Sequence, residues 1–331
     1  MLLVAARLVR EARFLVPTGS TQLRVLSEVA RETIKASLVA DGIAPLLSKR
    51  ADTCVVYSYW KSEATVACLY HKMTDRPDIR VVTRCHGGDL FYDLPTAPSR
   101  PYDPYVARRV DRVVPVSEIG SSHLVAHGFA CDKLVVHRLG VNIPARVAPS
   151  ASGAAWRLVS CSSMIPIKRV TLLAEALSML RQSFIWTHFG DGVQWNDVRD
   201  IVASFPENGE ARLVGRVTNK EVRRFYEMGT ADLFINVSES EGVPVSVMEA
   251  LSAGIPCVVT DAGGTSELVD DTVGKVLAKN VSAASIARAI EQELCDSAAH
   301  SAKRVAARRR AEEMCDANVN YNAFLLFLRS L

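Results

Sequence analysis

Ten short apolar runs alternate with longer helical stretches along most of the chain, and this alternation limits the fold more than any other feature. The runs lie at 53–57, 79–83, 112–116, 133–137, 156–161, 184–189, 211–214, 233–237, 256–260 and 274–277, with helices expected between most of them, for example at 168–181 and 220–228. Strands that are apolar at nearly every position belong to parallel sheets covered by helices on both faces. The segment ARVAPSASGAA at 145–155 is the one linker-like stretch by composition. It divides the 331 residues into two α/β domains. In open parallel sheets, ligands bind at the carboxyl ends of the strands, in the loops that lead into helices. Those loops are where chemistry is to be sought.

With 49% hydrophobic and 23% charged residues, the chain has ample core material and is not a disordered one. A formal net charge of +3 makes no demand for a nucleic-acid partner. The eight cysteines (54, 68, 85, 131, 161, 257, 295 and 315) form no CxxC pair and no zinc-like spacing. They read as small hydrophobes in a reducing cytosol. The start, MLLVAARLVREARFLV, carries Arg7, Arg10, Glu11 and Arg13. It is too charged for a secretory core or a membrane span, and an amphipathic helix is expected. Residues 1–50 as a whole read as helix, short strand at 13–16, and helix. The basic run KRVAARRR at 303–310 leaves two readings open. It is a solvated helix face, or it contacts phosphate or anionic lipid, which would place the protein peripherally at the inner face of a membrane.

The stretch NVSESEGVPVSVMEALSAGIPCVV at 236–259 holds two glutamates eight positions apart, Glu241 and Glu249. A strand at 233–237 leads through a loop to Pro244, suited to the first turn of a helix, and Gly254 suits a left-handed cap at its end. An acidic residue beside a helix start is favourable by ~0.3–1 kcal/mol, which accounts for Glu241. It leaves Glu249 among Val247, Met248, Ala250 and Leu251. A buried carboxylate needs hydrogen-bond donors, and ribose or hexose hydroxyls would supply them. On the residues alone, capping and ligand binding both stand.

The longer stretch SESEGVPVSVMEALSAGIPCVVTDAGGTSELV resembles the E-x7-E region of retaining glycosyltransferases of family 4, through the pattern EGxPxxxxEAxxxGxPVVxTxxGGxxE. The resemblance implies the GT-B fold, two Rossmann-like parallel-sheet domains facing a cleft. Residues 1–147 would form the acceptor-side domain and 148–310 the nucleotide-sugar domain, with 311–331, including NVNYNAFL, as a helix crossing back. It implies that Glu241 contacts the donor sugar, that the backbone of Gly242, Val243 and Pro244 holds sugar and phosphate, and that Glu249 binds ribose hydroxyls. Gly264, in GGTSE, would bring backbone close to the ligand, unless the segment is a simple turn. In LVSCSSMIPIKRV at 158–170, Lys168 would reach the diphosphate, or is a solvated lysine at a helix start. The family's second phosphate-binding arginine is replaced by Ser163 and its following glycine by Arg169. The loop still resembles the surface-polysaccharide branch. Gly190 in THFGDG and Gly215 in LVGRV match the same branch, the latter beside the nucleotide base.

In the first domain, VVTRCHGGDLFYD at 81–93 resembles the acceptor-side motif, where His86 would face the donor sugar and Asp89 would serve the acceptor side or cap the loop. Tyr59 and Trp60, in YSYW, would stack on a sugar or simply pack. VSE at 116–118 and HRLGVN at 137–142 also match, so the resemblance covers about residues 53–331. The opening strand and Gly-rich loop of the family, ILFIxxxxPPxxGG, has no counterpart. The expectation is a start placed too late or a first domain without that unit, with apolar sheet surface left uncovered.

The resemblance thus implies a hexosyltransferase that moves a hexose from a nucleotide diphosphate sugar to a glycan or lipid-linked glycan in surface-polysaccharide synthesis, with retention. No cofactor or metal is expected, there being no DxD motif. The alternative is a degenerate, catalytically inactive subunit of a glycan-assembly complex, motivated by Ser163 and the absent first unit. A nicotinamide-dependent dehydrogenase would need a GxGxxG fingerprint, and the chain has none.

Overall fold

The β-branched runs pair side by side into two parallel sheets in the computed structural model, which describes residues 22–49, 52, 54–91, 100–147 and 155–331. The expected N-terminal amphipathic helix, the strand at 13–16 and most of the 145–155 linker lie outside the described residues. Two compact units are present: Met1–His137 with Ala323–Leu331, and Arg138–Asn322.

In the first unit, strands β1 (Val55–Ser58), β2 (Arg80–Cys85) and β3 (Arg112–Pro115) lie in that order, all parallel. Helices α1 (Gln22–Ser48), α2 (Glu63–Thr74), α3 (Asp103–Arg109) and α4 (Glu118–Ala126) accompany them. Side chains alternate across a strand, and both faces of this sheet are covered. Val81, Cys85 and Val113 join a core with Val29, Ala36, Ala40, Val66 and Leu69. Val82 and Val114 point the other way, onto Phe324. That two-sided burial is why the runs show no polar alternation. The run at 133–137 forms no strand of its own. Lys133 Nζ is tied to the carbonyls of Ala107 and Arg108, which holds residues 131–133 in a 3-10 turn. It still runs beside β3, where the amides of Val135 and His137 donate to the carbonyls of Val113 and Pro115 at 3.1 and 3.2 Å.

The second unit holds β4 (Trp156–Cys161), β5 (Phe184–Phe189), β6 (Gly209–Gly215), β7 (Leu233–Asn236), β8 (Cys257–Thr260) and β9 (Gly274–Leu277), in the order β6-β5-β4-β7-β8-β9. Its helices are α5 (Val170–Leu177), α6 (Trp195–Val202), α7 (Asn219–Glu227), α8 (Val245–Ser252), α9 (Thr265–Leu268), α10 (Ala283–Cys295) and α11 (Ser297–Met314), followed by α12 (Ala317–Arg329). The chain winds outward from β4 to β6, then returns to start β7 beside β4. This reversal is the topological switch point at which doubly wound sheets bind ligands. The last helix, α12, begins in this unit and ends in the first.

Most of the basic run of α11 is engaged within the unit, and of its five basic residues Arg309 alone is exposed. Lys303 pairs with Glu293 at 2.7 Å, Arg310 with Asp270 at 2.7 Å, and Arg309 lies 3.7 Å from Glu313. Arg304 is buried, and Arg308 donates to the carbonyls of Ser252 and Pro144. Ser252 ends α8, where a cation suits the helix dipole. These charges hold the unit together. All eight cysteines are free thiols. Among the described residues no helix is long and apolar enough to cross a membrane.

Candidate active site

The switch point brings together the loops after β4 and β7. After β4, a 3-10 turn at Pro166–Lys168 turns Lys168 toward the β7 loop, where its Nζ meets Glu241 Oε1 at 2.6 Å. Asn236, the last residue of β7, donates Nδ2 to the same oxygen at 3.2 Å. Its Oδ1 accepts from Ser238 N and fixes the turn. The Glu239 amide donates to Ile167 O at 2.8 Å, which ties the two loops backbone to backbone. Arg169 is the one non-glycine with positive φ among the described residues, at φ 51°. A side chain there costs ~1–2 kcal/mol, against which its guanidinium donates to the carbonyls of Val237, Ser238 and Lys279. A glycine here would need no such compensation.

Pro244 is the N-cap of α8 rather than a residue of its first turn, and no side chain caps that helix. The first amides of a helix have no partner within it. Gly242 O accepts from Gly264 N at 2.7 Å, joining the β7 and β8 loops, and Val243 is buried beside them. Glu249, on α8, is 6% exposed. The donor that its burial requires comes from Asn219 at the start of α7, whose Nδ2 donates to Oε1 at 2.6 Å. A ligand is therefore not needed to account for this carboxylate. Burial raises its pKa, with the Asn219 bond and the Arg223 charge opposing.

Ser163 and Gly190 line a cavity of about 240 Å³ at the ends of β4 to β6, together with Cys161, Asp191, Arg216 and Val222. Gly190, at φ +133°, donates to Gly215 O at 2.9 Å. A Cβ on Gly190 would lie 2.0 Å from Ser162 O, so only glycine lets the β5 loop approach. Beneath it, His188 is fully buried and satisfied. Trp186 Nε1 donates to Ser160 Oγ at 2.9 Å, Ser160 hydroxyl to His188 Nδ1 at 2.7 Å, and His188 Nε2 to Ser162 O at 3.1 Å. Burial pulls the pKa of His188 down to about 4. A larger cavity, about 470 Å³, sits at the Trp156 end of β4, away from the strands' carboxyl ends.

In the first unit, His86 follows β2 and is buried, and neither ring nitrogen has a hydrogen-bond partner. Tyr59 and Trp60 cover it, with ring centroids 4.5 and 4.2 Å away. Burial, and then the Arg84 charge, lower its pKa to about 4. Asp89 has a scaffolding role: its carboxylate accepts from the amides of His86 at 2.7 Å and Lys61 at 3.0 Å. Each oxygen accepts one backbone bond, so the loop-capping reading of Asp89 has a geometric basis.

Asn219, Asn236, Arg216 and His188 were not singled out by the sequence. Asn219 had a signal: TNKE at 218–221 is a capping box that places it in a helix's first turn after a strand. Among the described residues no three His, Cys, Asp or Glu side chains gather as a metal site.

Residues 149–314, half of the chain, match the family described as Glycosyl transferases group 1. The chain belongs to that family. It is 26% identical over 220 residues to the amylovoran biosynthesis glycosyltransferase AmsK of Erwinia amylovora, covering 62% of this chain and 53% of that one. It is 27% identical over 228 residues to the putative colanic acid biosynthesis glycosyltransferase WcaL of Escherichia coli, covering 65% and 54%. The chain thus spans about half the length of these relatives. Among solved structures, Anabaena Alr3699/HepE in complex with UDP superposes with a TM-score of 0.73 at 16% identity, covering 89% of this chain and 82% of that one. A glycosyltransferase from Rickettsia africae gives 0.71 at 21%, covering 89% and 80%. The group 1 chain therefore has the GT-B fold, with two open parallel sheets.

Proposed function

We propose that the protein is a retaining glycosyltransferase that moves a hexose from a nucleoside diphosphate sugar to a glycan acceptor in surface-polysaccharide synthesis. The observation that carries this reading is the Lys168–Glu241 pair at the switch point, beside the uncapped start of α8. Lys168 and the first amides of α8 take the diphosphate and stabilise the charge it gains on leaving. The diphosphate competes with Glu241 for the lysine, and Glu241 then accepts from sugar hydroxyls. Glu249 accepts from ribose, and the cavity of Ser163 and Arg216 takes the base side of the nucleotide. His86 is the first unit's candidate for contact with the reacting sugar. No residue is assigned as a covalent nucleophile, and no metal is required by this scheme.

The test is a panel of UDP-, GDP-, ADP- and dTDP-sugars, with and without EDTA, scored for nucleoside diphosphate release. Release from one donor that survives EDTA and drops about 100-fold or more in Glu241→Ala supports the reading. Binding of a nucleoside diphosphate without release from any donor favours the inactive subunit instead. Neither binding nor release sinks both.

A further inference from the structure

Tyr59 and Trp60 stand 52% and 46% exposed in the bend after β1, their rings edge to face at 5.9 Å and 77°. They form a corner over His86, which is 7% exposed with both ring nitrogens unpartnered. Each part of this arrangement is unfavourable in isolation. Large aromatic faces left in water forgo burial, and an imidazole without partners lacks the bonds that water gave it. The loop beneath is nevertheless held firmly. Asp89 fixes the backbone on both sides of the corner, at His86 and Lys61, and Ser58 Oγ donates to Trp60 O at 2.6 Å.

One ligand chemistry relieves both deficits. A pyranose ring has an apolar C–H face that can lie on an aromatic ring and a rim of hydroxyls that donate and accept. The cations nearest in sequence are engaged elsewhere, Lys61 with Asp103 at 2.5 Å and Arg84 with His137 O at 2.7 Å. The corner therefore suits a neutral ring better than a phosphate, whose partner Lys168 lies in the other unit.

Resting on the glycosyltransferase reading above, we propose that Tyr59 and Trp60 form a stacking platform for a pyranose ring of the glycan acceptor, one hydroxyl of which hydrogen-bonds His86. As the rings stand, they cover the imidazole, and the exposed side chain of Trp60 or Tyr59 turns to admit that hydroxyl.

The experiment uses the full chain, with methyl glycosides of glucose, galactose, mannose and N-acetylglucosamine as probes in saturation-transfer NMR, and UDP, GDP and ADP in calorimetry. At least one glycoside should bind, and Trp60→Ala and Tyr59→Ala should each weaken it about tenfold. Trp60→Phe should retain most of the binding, and nucleoside diphosphate affinity should be unchanged in all three variants. Equal glycoside binding by the alanine variants, or none by the wild type at high millimolar concentration, overturns the platform. Glycoside binding that depends on both rings, in a chain that binds no nucleoside diphosphate, leaves the platform standing and sinks the donor-site reading.

Discussion

Two histidines, one in each unit, make an instructive pair. His86 follows β2 and His188 lies near the end of β5; both are buried beside parallel strands, and both have a pKa drawn down to about 4 by burial. They differ in what their nitrogens meet. His188 sits in a continuous relay from the Trp186 indole through the Ser160 hydroxyl to the Ser162 carbonyl. That carbonyl is the atom against which Gly190 packs, so His188 sets the height of the cavity floor. His86 has aromatic neighbours and no polar partner. Burial and a shifted pKa are thus common to a scaffold residue and a proposed site residue. The unsatisfied nitrogen is what separates them.

The sharpest way to break the pairing is to truncate each residue. His86→Ala is expected to lower nucleoside diphosphate release about 100-fold with only a modest fall in melting temperature, since it loses ring packing but no hydrogen bond. His188→Ala is expected to do the reverse. It leaves Ser160 and the Ser162 carbonyl short of a partner and opens a void, a loss of ~3 kcal/mol, or roughly 6–12 °C in the melting temperature for a unit of this size. Thermal melts and release assays on the same preparations decide the matter, and a stability loss in His86→Ala as large as that in His188→Ala would erase the distinction.

Acid sharpens the contrast next. Both folded-state values lie below the ordinary imidazole value of 6.5, so the unfolded chain takes up protons first as pH falls. The stability each neutral ring contributes is fully present above about 6.5 and is lost progressively toward 4. The loss amounts to ~3 kcal/mol for His188, and less for His86, which lies nearer solvent. Urea midpoints at pH 7.5 and 5 should therefore fall in the wild type and fall distinctly less in His188→Gln. The smallest effect is expected at Asp89. Asp89→Asn replaces one of two backbone acceptors with a donor, costs about 1 kcal/mol, and leaves release rates near wild type.

Much of this was legible in the sequence, for physical reasons. Strands covered on both faces are apolar at every position, and that pattern alone gives parallel sheets; Val81 and Val82 show it by facing opposite cores. The spacing of Glu241 and Glu249 could be read because loop, helix start and helix are contiguous. Interactions between distant segments could not. Asn219 reaches Glu249 across 30 positions, and the arginines of α11 are engaged by carbonyls and carboxylates up to 164 positions away. The local pattern of an Ala- and Arg-rich helix carries no trace of those partners. Nor does an isolated His reveal whether its nitrogens will be met, so nothing in THFGDG marks His188 as the centre of a relay.

Arg169 has a consequence for anyone exchanging parts between group 1 proteins. Its left-handed backbone and its three carbonyl partners form one device distributed over three loops. A glycine grafted at 169 would relax its own backbone and untie 237–238 from 279. The segment 158–170 is therefore not a portable module: to function in another member of the family, it must travel with the two loops that its arginine holds.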